Sequence, residues 1–194
     1  DSEVAKSVRG LRALLSNTPN DVIALVDLAQ HHLAVGKQRA AHRALMVAHQ
    51  ISPDSVHVLR AVTRYWIHVG MPDKAHAFIK KAPRTAADPW LMASEIATAQ
   101  ITGSPSTQLR KAQRALAIKS FKSRDVTELA GAVGGAELYQ GNFKEARKLF
   151  RLALEYPTDN VLAQAITNQD HLQIEINDSL LQKAPNGVFE GRAL

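Results

Sequence analysis

No cysteine occurs among the 194 residues. That removes disulfide frameworks, thiolate nucleophiles and cysteine-ligated zinc together, and it leaves the redox compartment open. Aromatic residues make up 5% of the chain against 45% for all apolar types. Alanine fills much of the difference, a balance that suits closely packed helices better than β-sandwiches, where branched and aromatic side chains dominate. No run approaches the roughly 18 consecutive apolar residues that a membrane-spanning helix needs. The chain opens on Asp1 without a basic, apolar and small-residue leader pattern, so we expect an excised or processed piece.

Sites for chemistry are also missing. Eight histidines are present, but no H-E-x-x-H occurs, and no two histidines four apart on one helix share a carboxylate third ligand. His31 and His32 are adjacent and so point to different faces of a helix. There is no glycine-rich phosphate loop and no G-x-S-x-G elbow. Carboxylates such as Asp170 and Glu175 scatter over polar faces. We therefore expect no catalytic residue, no metal and no cofactor. What is in excess is positive charge: 24 Lys and Arg against 18 Asp and Glu, a formal net charge of +6, which favours an acidic partner.

The chain does have an internal period. Pro19-Asn20-Asp21 returns as Pro53-Asp54-Ser55, Gly36 as Gly70, Ala41 as Ala75 and Ala48 as Ala82, all at one shift of 34 residues. Around these markers, apolar residues recur at i, i+3, i+4 and i+7, the signature of amphipathic helices. Asp21, Ser55, Asp88 and Asp125 stand where first helices should begin and can accept from the unpaired N–H groups. Pro72, Pro89 and Pro105 fall just inside expected helix starts. Gly36, Gly70, Gly103 and Gly141 fall at expected helix ends.

This pattern resembles the tetratricopeptide repeat family, W-x2-L-G-x2-Y, then A-x3-F, then P. The first unit fills those slots with Leu25, Leu28, Ala29 and His32, then Ala41 and Leu45, then Pro53. The second has Leu59, Val62, Thr63 and Trp66, then Ala75 and Ile79, without the closing proline. The third is degenerate, with Ala93, Ile96, Ala97 and Gln100, then Ala112 and Leu116. The fourth is the clearest: Ala130, Val133, Gly134 and Glu137, then Ala146 and Phe150, then Pro157. The resemblance implies an all-α, right-handed α-solenoid of helix-turn-helix repeats. We expect one repeat domain over 1–194: a partial unit at 1–20, repeats at 21–55, 56–89, 90–125 and 126–158, and a partial unit at 159–194. At the C-terminal end a first helix is expected over 160–177, a short one near 179–183 and the start of another over 189–194. Extra residues around Ser120–Arg124 lengthen the third interval. Ala29, Ala97 and Gly134 are expected to let second helices approach closely, opposite Ala41, Ala112 and Ala146. Gly134 and Gly135 cost about 1 kcal/mol each in a helix relative to alanine, and close backbone contact is the expected reason. Neither end carries a polar cap of the kind terminal repeats need, so a piece of a longer array is expected, with self-association through those ends open.

The resemblance also implies that first helices line a concave groove for a protein or peptide. Carried over slot by slot, its residues are Ile23, Val26, Gln30 and Leu33; His57, Arg60, Arg64 and Ile67; Leu91, Ser94, Thr98 and Ile101; and Glu128, Gly131, Gly135 and Leu138. Arg60 and Arg64 lie one turn apart and can reach one carboxylate-bearing segment. A family variant clamps the acidic C-terminus of heat-shock chaperones with lysines and asparagines; Val26, Gln30 and Leu91 stand in those places, so that ligand is not expected. A second basic feature, Arg110, Lys111, Arg114, Lys119, Lys122 and Arg124, belongs to a second helix and the loop after it, on the convex side. Only Phe121 interleaves it, which gives base stacking little support. A non-catalytic protein-interaction module is the leading reading. A scaffold acting in cis within a larger enzyme or secretion machine and a basic helical-repeat nucleic-acid binder are the alternatives.

Overall fold

The structure, a computed structural model, describes residues 3–122 and 125–156. Those residues form helices and turns, with no strand among them. Two compact units divide the chain, Asp1–Thr85 and Ala86–Leu194. The first holds α1 (Glu3–Asn17), the antiparallel pair α2 (Val22–Ala34) and α3 (Gln38–Ile51), and the pair α4 (Val56–His68) and α5 (Pro72–Lys81); a 3₁₀ turn over Pro83–Ala86 follows at the boundary. The second holds the pairs α6 (Pro89–Thr102) with α7 (Leu109–Ala117) and α8 (Thr127–Tyr139) with α9 (Phe143–Ala153). The helices expected over 160–177, 179–183 and 189–194 lie outside the described residues.

All four pairs turn on the same hydrogen-bond motif. Gly36, Gly70, Gly103 and Gly141 all have φ between 65° and 81°, a left-handed conformation that costs a glycine nothing and other residues about 1 kcal/mol or more. The N–H after each glycine then donates to a carbonyl five residues back: Lys37 to His32, Met71 to Trp66, Ser104 to Ala99 and Asn142 to Glu137. Each glycine's own N–H donates three residues back, as Gly36 does to Leu33, and the two bonds together satisfy carbonyls that a helix end leaves bare. It also fixes the true register of the repeats. The third pair's equivalent of His32 and Trp66 is Ala99, one residue earlier than the 34-residue shift predicts. The interval there is 33 because α5 ends at Lys81 and a single 3₁₀ turn leads to the Asp88 cap.

The caps follow the sequence in part. The Asp21 carboxylate accepts from Ala24 N at 3.0 Å and that of Asp88 from Trp90 N and Leu91 N at 3.0 and 3.1 Å; Ser55 Oγ lies a longer 3.5 Å from Val58 N. Pro72 and Pro89 open α5 and α6 as expected. Pro105 does not open α7, which begins at Leu109 after Ser106 Oγ has accepted from Gln108 N and Leu109 N. Asp125 is not the cap of α8 either: Val126 holds that position without a side-chain bond, and the Asp125 carbonyl accepts from Trp90 Nε1 at 3.0 Å.

Alanine-rich interiors hold the pairs together. In the first unit Leu25, Val26, Ala29, Ala41, Leu45, Ala48, Val58 and Val62 pack into one core, joined by Tyr65. In the second, Met92, Ile96, Ala112, Leu129 and Val133 form one cluster, and Ala130, Ala146, Phe150 and Ala153 another. Each large side chain so buried contributes about 1.5–3 kcal/mol. Gly134 lets α9 approach α8: a Cβ there would meet the Phe150 ring at 3.2 Å. Ala97, expected in the same role, is half-exposed, and the one-residue shift puts Ile96 in its place.

Candidate functional site

A side chain available to a partner must be exposed, and along each first helix the helical period decides which ones are. On α2 the outward stripe runs through Ile23 (65% exposed), Asp27, Gln30 and Ala34. Val26, one residue off that stripe, is closed into the core at 0% exposure, and Leu33 is half-buried against the same core. On α4 the stripe is the one the sequence suggests: His57, Arg64 and Ile67 are exposed and Arg60 half-buried. The first unit packs α2 beside α4, so these two stripes belong to one compact body.

The second unit departs further. Thr98 is 1% exposed, and its hydroxyl donates to the Ser94 and Glu95 carbonyls; Leu91 is buried as well. Both corrections follow from the 33-residue interval, which moves the outward stripe of α6 to Trp90, Ser94, Ala97 and Ile101, with Ser94 half-buried and Ile101 exposed. On α8, Glu128, Gly135 and Leu138 are half-buried and Gly131 is buried. That helix is apolar on every side and packs against α6, α7 and α9.

Buried polar groups in the second unit are structural. Glu95, at 0% exposure, accepts from Ser106 Oγ, from Thr107 N at 2.9 Å and from Thr107 Oγ1 at 3.0 Å, and so pins the turn before α7. Glu137 accepts from Asn142 Nδ2 at 2.7 Å and from Gln113 Nε2, and so pins the turn before α9. In the first unit His32 fills the core slot at 3% exposure, and its Nδ1 has no hydrogen-bond partner among the described residues. Burial lowers its pKa below the ordinary histidine value, helped by the nearby charges of Arg12, Lys37, Arg43 and His31.

Charge is divided unevenly. Residues 1–85 hold twelve Lys and Arg against six Asp and Glu, a net of +6, whereas residues 86–194 hold twelve of each. Seven of the eight histidines also lie in residues 1–85. Within the first unit, α3 carries Arg39, His42 and Arg43 at i, i+3 and i+4, and these line an open pocket of about 360 Å³ with Tyr65 and Trp66 of α4. Sequence reasoning passed over this cluster, although the acid-free run from Leu28 to Pro53 signals it. The second-unit basic feature is exposed at Arg110, Lys111 and Arg114 on α7 and at Lys119 and Lys122 after it. Arg124 lies outside the described residues.

Among the described residues no group of three or more His, Asp or Glu could hold a metal ion, and no helix is long and apolar enough to cross a membrane. No family model and no curated protein matches the sequence. Among solved structures the chain is similar to YrrB, described as a TPR protein with an unusual peptide-binding site, with a TM-score of 0.53 at 17% identity over 91% of this chain and 93% of that one. At that identity the likeness is one of fold, and it agrees with the four glycine-closed helix pairs: this chain has the tetratricopeptide-type helical-repeat fold.

Proposed function

We propose that the chain is a non-catalytic protein-interaction module whose first unit takes an extended or helical segment of another protein across α2 and α4. The observation that carries this reading is the pair of outward stripes, Ile23 and Gln30 on one helix and His57, Arg64 and Ile67 on the next. They set exposed apolar surface beside the Arg64 guanidinium on two neighbouring helices. Such a surface gains from apolar burial and from charge-assisted hydrogen bonds to carboxylates. The concentration of net charge in residues 1–85 favours an acidic segment, and a fold shared with a protein described as having a peptide-binding site supports the reading by analogy. Affinity capture from nuclease-treated lysate tests it. One protein should be retained by the wild type and lost by the Arg60→Glu/Arg64→Glu variant; unchanged capture overturns the assignment.

A second reading rests on α7, where Arg110, Lys111 and Arg114 form an exposed face. If that face binds nucleic acid, affinity should fall steeply with salt through counterion release, and capture should vanish with nuclease alone.

A further inference from the structure

The α3 pocket is a separate feature from the first-helix stripes. Arg39 and Arg43 are exposed one turn apart, and His42 lies between them with its ring 5.2 Å from that of Trp66 and 5.5 Å from that of Tyr65. Trp66 packs edge-on against Tyr65 at 5.0 Å, and Lys74 of α5 places its ammonium 5.0 Å over the indole. Three cations thus surround one aromatic floor. No described residue forms an ion pair with Arg39, Arg43 or Lys74, and α3 contains no acid at all. Arg39 sits in the first turn of α3, where the helix dipole adds to its charge rather than offsetting it, an arrangement that an anionic ligand relieves. Retaining such a cluster on an open surface is costly for the folded chain alone and useful for a charged partner.

The geometry also selects among anionic partners. A nucleic-acid base needs an open ring face, but Lys74 covers Trp66 and Tyr65 is buried. What remains accessible is a pair of guanidinium forks with a partly apolar floor, which suits carboxylate side chains flanked by an apolar residue. We propose that this pocket docks an acidic peptide segment of a partner protein, with its carboxylates on Arg39 and Arg43 and a neighbouring apolar side chain against the Trp66 and His42 edges. The site is distinct from the α2–α4 stripes and stands or falls independently of them.

The test uses the full chain and a synthetic fluorescein-labelled peptide of alternating Glu and Phe-Glu units, followed by anisotropy and by Trp66 emission in a Trp90→Phe background. Binding should shift Trp66 emission and weaken about tenfold in Arg39→Ala/Arg43→Ala, as loss of two largely exposed charge pairs implies. Far-UV circular dichroism should be unchanged, because alanine is a good helix former at both exposed sites. Arg110→Ala/Arg114→Ala should bind the peptide as the wild type does. Equal affinity for the wild type and the α3 variant overturns the proposal. So does an equal loss in the α7 variant, which marks unspecific charge attraction, or tighter binding of a single-stranded oligonucleotide through the same arginines.

Discussion

Substituting Gly134 by alanine probes the contact that brings α8 and α9 together. In an exposed helix interior the change stabilises by about 1 kcal/mol, through lower backbone entropy in the unfolded chain. At Gly134 the new methyl lands 3.2 Å from Cε1 and Cζ and 3.3 Å from Cδ1 of Phe150, inside the roughly 3.5–4.0 Å optimum for carbon contacts. The ring has little room to retreat, because Phe150 is buried among Ala130, Ala146, Ala153 and Leu154. Overpacking of this kind costs about 1–3 kcal/mol, so Gly134→Ala should range from neutral to about 2 kcal/mol destabilising. Gly10 provides the control: it lies within α1, and a Cβ there meets nothing within 4 Å, so Gly10→Ala should stabilise by about 0.5–1 kcal/mol. Urea titrations report both, with Trp90 emission reading the second unit in a Trp66→Phe background and Trp66 reading the first in Trp90→Phe. Phe150→Leu should cost less in the Gly134→Ala background than in the wild type, a coupling visible in the double-mutant cycle. Gly134→Ala stabilising as much as Gly10→Ala would refute the reasoning.

Two further outcomes are expected. Because burial holds the His32 pKa below 6.5, the unfolded chain takes up a proton that the folded chain resists as pH falls through about 6.5. Stability present above that pH is then lost down to the folded pKa. His32→Leu removes both this slope and the unpartnered Nδ1, so the drop in first-unit urea midpoint between about pH 7.5 and 5.5 should shrink; an unaltered drop shows that His32 is not its source. At the helix starts, Asp88→Ala should cost the second unit about 1 kcal/mol, because two short bonds to Trp90 N and Leu91 N are lost. Ser55→Ala should cost the first only a few tenths, given its 3.5 Å contact; equal costs in thermal melts would contradict that ranking.

Helix pairing was legible in the sequence because glycine and aspartate carry local conformational demands that survive any tertiary context. The four inter-helix glycines and the caps at Asp21 and Asp88 end and start helices as the sequence expects. Register was less legible. Gly70 and Gly103 stand 33 residues apart, whereas the groove slots of the third unit carry over from the second at a shift of 34. Thr98 and Leu91 were placed outward for this reason and are buried. Val26 illustrates a different limit, since adjacent helical positions differ by about 100° and a one-residue offset moves a side chain from solvent to core. Polar burial was not visible either: Glu95 and Glu137 have the side chain of a solvated position, and only the three-dimensional turn supplies their donors. The α3 pocket needs both α4 and α5 to assemble around Arg39 and Arg43, and no local pattern joins Lys74 to Trp66.

The most direct test of the proposed interaction face is site-directed photo-crosslinking in nuclease-treated lysate, with a photo-reactive residue in place of Gln30, of Arg64 or of Lys111 on α7. The expected result is one and the same protein crosslinked from positions 30 and 64 and absent from position 111. Crosslinks confined to position 111, or none from the first-helix positions, would contradict a partner seated on α2 and α4.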